Sequence, residues 1–210
     1  LQDWGISYGQ VDLTEDGRLD EAEILRQIKR DPSIRAMVIQ RSRGYSERDS
    51  LSVEEIGRLC QMIHNADPSI YVLVDNCYGE FVEELEPSDV GADLVMGSLI
   101  KNPGGGLAPT GGYIAGKKEL VERIAARLTV PGIGRECGAT LGNNRALYQG
   151  LFMAPHTVAQ ALKTAVFCAG IMERLGYVTS PAAKVHRHDI VQTISFGRPE
   201  PLQHFCRGIQ

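Results

Sequence analysis

The sequence lacks paired cysteines, an excess of basic charge and any apolar run long enough to cross a bilayer. Its five cysteines, Cys60, Cys77, Cys137, Cys168 and Cys206, are scattered, odd in number and without a CxxC pair. That pattern fits free thiols in a reducing compartment, and the chain reads as cytoplasmic. A formal net charge of -4, with no basic stripe interleaved with aromatics, gives no general attraction to nucleic acid or an anionic membrane. The most apolar stretch, TAVFCAGIM, is too short for a span, and no basic, apolar and small-residue leader opens the chain. The opening LQDWGISYGQ has no methionine and reads as the approach to a strand, while FCRGIQ breaks off in a helical pattern. The chain therefore reads as a fragment of a longer one.

What is present is ordinary for a soluble globular protein: 43% hydrophobic and 23% charged residues in 210. That length allows one domain, or a domain and part of another. Asp20 and Glu23 mark a helix start, with Ile24, Leu25 and Ile28 as its apolar stripe, and Ser52 and Glu55 repeat the capping signal. RAMVIQR, IYVLVD, ADLVMGS and GGYIAG read as strands, and KKELVERIAARL as a helix. Strand, helix, strand in that order implies parallel pairing with a right-handed crossover. From Asn143 to about Leu175 the pattern is helical, with Pro155 expected to bend or break it. HDIVQTISF reads as a strand, followed by a helix from about Pro199.

Ligands in open α/β sheets gather beyond the carboxyl ends of the strands, and Asp75 lies at such an end. Alone, an aspartate after a strand is more often a turn or cap, and a loop lysine such as Lys101 more often a solvated surface charge. Their joint context changes the reading. Lys101 leaves one strand just before NPGGG, and a desolvated lysine near cationic neighbours has a lowered pKa and forms a Schiff base with a carbonyl cofactor. Asp75 supplies the matching anion for a protonated pyridine nitrogen, which points to pyridoxal 5'-phosphate. Ser98 is placed to donate to its phosphate, and Gly104 to Gly106 to add backbone N–H groups.

The runs RSRGYS, VDNCYGEFVEELEP, GADLVMGSLIKNPGGGLAPTGGYIAG and PGIGRECGATLGNNR closely resemble the methionine gamma-lyase-like family, also labelled aluminium resistance proteins. That family looks like a branch of the fold type I pyridoxal phosphate enzymes related to cystathionine lyases. The resemblance implies an α/β large domain over 1–142, its mostly parallel central sheet carrying helices on both faces. A linking helix over 143–175 and the start of a small α+β domain over 176–210 follow. It implies Lys101 as the Schiff-base lysine, Asp75 as the pyridine partner and Ser98 as a phosphate ligand, with Arg41, Ser42, Arg43 and Asn102 as further cofactor-facing positions. The implied activity is carbon–sulfur lysis of a methionine- or cystathionine-like amino acid by β- or γ-elimination, in a homodimer or homotetramer that shares the site. Transamination, racemisation or aldol-type cleavage would use the same lysine and aspartate, and a truncated, non-catalytic interaction subunit is a further alternative. Fold type I subunits are usually about twice this length, and neither the glycine-rich phosphate turn nor the ring-stacking aromatic is found before Asp75.

Rival readings are weaker. Gly111 to Lys117 match GxxxxGK, but Lys118 stands where a magnesium-binding Ser or Thr belongs, and the stretch between reads as strand. GIGRECG is one residue too long for a dinucleotide fingerprint, so its glycines and Arg135 read as an active-site or interface loop. His186 and His188 with a nearby cysteine suggest zinc, yet two alternating histidines are more often an exposed polar segment, and no metal is expected. Cys77 reads as small packing beside the cofactor, and Tyr78 and Glu80 either touch substrate or close the loop. The aromatic and methionine positions of ALYQGLFMAPH read as core or subunit contacts.

Overall fold

The computed structural model describes residues 1–209 except 129, 131, 139 and 141, so positions 131, 139 and 141 of the quoted segment PGIGRECGATLGNNR lie outside the described residues. The helix starts follow the capping chemistry. Asp20 accepts the Glu23 N–H at 2.8 Å and opens α1 (Glu21–Arg30). Glu23 does not reach back; its carboxylate takes Arg26 and Gln27 on the next turn. At α2 (Val53–Ala66) both halves of the box form between Ser52 and Glu55. The opening residues make a short 3-10 turn, Gln2–Trp4, rather than the approach to a strand.

Four strands form one sheet in the order β1 (Ala36–Gln40), β2 (Tyr71–Asp75), β3 (Leu94–Ser98), β4 (Gly112–Gly116). β1 and β3 each run parallel to β2, and β4 closes the edge antiparallel to β3. The mostly parallel α/β sheet expected from the sequence is therefore present. Val74 lies opposite Val95, and Asp75 opposite Met96. With side chains alternating across the pleat, Met37, Ile39, Val72, Val74 and Val95 share one face. There they pack with Ile24 of α1 and Ile56, Leu59, Cys60 and Ile63 of α2. Asp75, Met96 and Ser98 share the opposite face, where Val38 is 67% exposed.

Asp93, 1% exposed, ties the sheet together just before β3. It accepts the Val72 N–H at 2.6 Å, meets His64 Nε2 at 3.0 Å and pairs with Lys117 Nζ at 2.6 Å. Its carboxyl is held below the usual carboxylate range: burial opposes this, but the bonds from Lys117, the Val72 N–H and His64 outweigh it. Lys117 is thereby committed to a strand end, and residues 112–116 are strand, so the GxxxxGK stretch forms no phosphate loop.

After α3 (Lys118–Leu128), α4 runs unbroken from Asn144 to Arg174 through Pro155. A proline there removes one helical hydrogen bond, at about 3 kcal/mol in an exposed helix. Packing outweighs that. Gly150 of α4 meets Gly104 and Gly105 so closely that a side-chain carbon at any of the three would overlap backbone. Ala154 and Val158 are buried just beyond. The aromatics of the same region are not core: Tyr148 and Phe152 are exposed.

The strand expected over HDIVQTISF shrinks to β6 (Thr193–Ser195), which pairs antiparallel with β5 (Val178–Ser180). Asp189 is the reason. It is buried, takes hydrogen bonds from the Ser42 and Ser50 hydroxyls, and accepts the Val191 N–H at 3.0 Å, turning 189–191 away from an extended ladder. α5 (Pro199–Ile209) follows as expected. Among the described residues, no helix is long and apolar enough to cross a membrane, and all five cysteines are free thiols.

Removing the Asp93 carboxylate would orphan the Val72 N–H and leave Lys117 without its partner. Asp93→Ala should lower unfolding free energy by about 3–5 kcal/mol in urea titrations. A loss below about 1 kcal/mol would mean that the triad contributes little.

Candidate active site

Three chemically useful side chains emerge at the carboxyl ends of adjacent parallel strands. Asp75 ends β2, Ser98 ends β3, and Lys101 follows three residues later, its N–H reaching back to the Ser98 carbonyl at 3.3 Å. All three are partly exposed, so the site is an open shelf. Asp75 Oδ1 accepts the Cys77 N–H at 3.1 Å, an Asx turn that aims the carboxylate along the strand axis.

Cys77 stands between the acid and the amine. Burial, then the Asp75 carboxylate, push its thiol up, while the Lys101 ammonium pulls it down. Burial alone would lower Lys101, but the Cys77 thiol and Tyr78 phenol outweigh it and hold the amine above its ordinary range. The expected cationic neighbours are absent among the described residues near Lys101, so the expected lowering does not occur. Lys101 Nζ lies 4.1 Å from the centre of the Tyr78 ring, a cation–π contact, and no carboxylate among the described residues forms an ion pair with it.

Tyr78 is held there under strain. Tyr78 and Phe81 adopt φ of 70° and 62°, left-handed values that cost a non-glycine residue about 1 kcal/mol or more. The loop keeps that shape because its polar groups are tied from within. Arg41, fully buried, donates to Asn76 Oδ1 at 2.8 Å, the Gly79 carbonyl at 3.1 Å and Glu83 Oε1 at 2.7 Å. Glu86 accepts from Asn76 Nδ2 and the Phe81 N–H, each at 2.8 Å.

Several residues expected to face a cofactor make hydrogen bonds within the chain. Arg41 spends its guanidinium on the loop. Arg43 donates to the Ser180 hydroxyl at 2.7 Å and to the Ser46 and Glu47 carbonyls. Ser42 donates to Asp189 at 2.6 Å. Asn102, buried, donates to the Glu80 carbonyl at 2.9 Å. The glycines after Lys101 do not form the expected nest, because the Gly104 and Gly105 N–H groups bond the Lys101 and Asn102 carbonyls. Their lack of a side chain serves contact with α4.

Glu80 sits behind the site, 3% exposed, accepting from the Tyr113 hydroxyl at 3.0 Å while Oε2 has no partner. Burial raises its carboxyl to about 7, and burial likewise pushes Tyr113 up. The folded chain keeps a proton that the unfolded chain releases near 4.5, so stability should fall between about pH 4.5 and about 7 and level off above. Glu80→Gln should remove that fall, on the order of 3 kcal/mol, in urea unfolding across this range. Parallel pH profiles for the two proteins would contradict the assignment.

A methionine gamma-lyase family profile matches residues 1–210. The protein YnbB of Bacillus subtilis is 48% identical over 210 residues, all of this chain and 49% of that protein. A Clostridium acetobutylicum structure, provisionally described as a cystathionine beta-lyase involved in aluminum resistance, is 51% identical at TM-score 0.94, over 99% of this chain and 49% of that one. A Clostridium novyi NT structure, described as a carbon-sulfur lyase involved in aluminum resistance, is 50% identical at TM-score 0.94, with the same coverage. The chain thus spans about half the length of these relatives. At 15% identity, an aspartate aminotransferase from Thermus thermophilus superposes with TM-score 0.64, which shows the shared fold type I architecture alone. By the match along its full length, the chain belongs to the methionine gamma-lyase family.

Proposed function

We propose that this chain forms the cofactor-binding part of a pyridoxal phosphate-dependent carbon–sulfur lyase acting on a sulfur-containing amino acid. The observation that carries the reading is that the Lys101 ammonium, which forms no ion pair among the described residues, and the Asp75 carboxylate both act on Cys77 near neighbouring strand ends. Ser98, on the Asp75 face of the sheet, adds a hydroxyl. These are the donor types the cofactor needs, so the residues present fit it. When bound, pyridoxal phosphate supplies an aldehyde for the amine and a ring that accepts electrons.

The chain's own groups then divide the work. Lys101 would hold the cofactor through Nζ, and its amine would serve as the base for the substrate's α-proton. Asp75 would favour the protonated ring nitrogen of the bound cofactor, and Ser98 would offer its hydroxyl to the phosphate. Tyr78, under the ammonium, fixes where Nζ rests. Elimination followed by hydrolysis with one water would release a thiol, ammonia and a 2-oxo acid; the relative described as a carbon-sulfur lyase supports that reaction class. Assembly as a homodimer or homotetramer in a reducing cytoplasm belongs to the same reading. The exposed Tyr148, Phe152 and Phe167 of α4 supply apolar surface for such contacts.

In the full-length protein, Asp75→Asn should cut kcat/KM for thiol release by about 10²–10³-fold, as expected for losing one preorganised charge partner. Lys101→Ala should abolish both turnover and the near-visible absorbance of the bound cofactor. Wild-type turnover in Asp75→Asn would remove that residue from its role.

A further inference from the structure

Outside the shelf, the fold gathers three metal-ligand side chains from remote parts of the chain. Glu83 lies within the loop that follows β2, while His186 and His188 lie in the irregular stretch between β5 and β6. One ligand atom from each lies within 4.8 Å of the others. His188 Nδ1 is 3.1 Å from Glu83 Oε1, near the separation of two ligands on one tetrahedral ion. The two imidazole rings stand 5.1 Å apart, inclined by 61°, so they do not stack face to face. His186 is exposed and the other two half-buried, which leaves one side open to water.

We propose that Glu83, His186 and His188 form a site for a divalent transition metal of the zinc class. Two imidazoles and one carboxylate oxygen, with water in the fourth position, suit such an ion; magnesium and calcium favour oxygen-only sets. Charge bears on whether a dication is tolerated. The Arg41 guanidinium lies 2.7 Å from Glu83 Oε1 and opposes it. Against that stand three carboxylates: Glu83 itself, Glu86 at 3.5 Å from Arg41, and Glu55, which interacts with His188. Arg58 also acts on Glu55, and the buried Arg187 lies between the two histidines, where it faces Asp189, so the surroundings are mixed in sign and the ligand geometry carries the site. The bound ion would clamp the loop carrying Cys77 and Tyr78 to the segment that ends in Asp189, the anchor of Ser42 and Ser50.

The test uses the untagged full-length protein, freed of metal with a chelator, and titrated with Zn²⁺ by calorimetry and with Co²⁺ by visible absorption. One equivalent should bind, with tetrahedral Co²⁺ bands. His186→Ala, which leaves the Arg41–Glu83 pair intact, should weaken Zn²⁺ about tenfold or more while melting with wild type in the absence of metal. His188→Ala should do the same, and His186→Asn serves if alanine disturbs the fold. Absence of a stoichiometric metal in wild type, or equal affinity in the histidine variants, would overturn the site.

Discussion

The buried guanidinium of Arg41 is the interaction on which the working end of this molecule depends. It sits at the end of β1, where its own N–H bonds the Asp75 carbonyl at 3.0 Å, and its side chain reaches across the turn that follows β2. A guanidinium withdrawn from water is costly unless nearly every donor is met. The loop supplies acceptors for the two terminal nitrogens, Asn76, Gly79, Glu83 and, at the edge, Glu86, while Nε has no partner among the described residues. Satisfying Arg41 therefore dictates the loop's path, and that path holds Tyr78 and Phe81 in left-handed conformations they would not adopt unaided. Space is equally tight, since a side chain at Gly79 would collide with Arg41.

From this constraint the shelf follows. The turn brings Cys77 between Asp75 and Lys101 and sets the Tyr78 ring beneath the ammonium. On the other side, the Gly104, Gly105 and Gly150 contact seats α4 against the turn after Lys101, so the lysine is fixed from its C-terminal side by helix packing. Rigid strand ends carry Asp75 and Ser98, and loops tied by buried polar bonds hold the neighbouring side chains. Glu80 and Tyr113 fill the space behind, where the Gly97 position leaves room for both.

Local chemistry made much of this legible from residues alone. The Ser52 and Glu55 box, the four short apolar strands and the helix from Pro199 announce themselves within a few positions. The positions of Asp75, Ser98 and Lys101 at or just after strand ends were also readable from the residues, while their role stays a proposal. What was hidden depends on distant partners. The intrachain acceptors of Arg41 and Arg43, up to 137 residues away, could not be read from the sequence. The path through Pro155 and the shortened β6 are set by packing and by the 147-residue link from Ser42 to Asp189. Glu83 meets His188 across 105 residues, a juxtaposition with no local signature.

The central claim is that the amine of Lys101 carries the cofactor. The direct measurement is borohydride reduction of the full-length protein followed by digestion and mass spectrometry. The account predicts one phosphopyridoxyl group, on the peptide containing Lys101; a reduced adduct on another lysine, or none in freshly isolated protein, would contradict it.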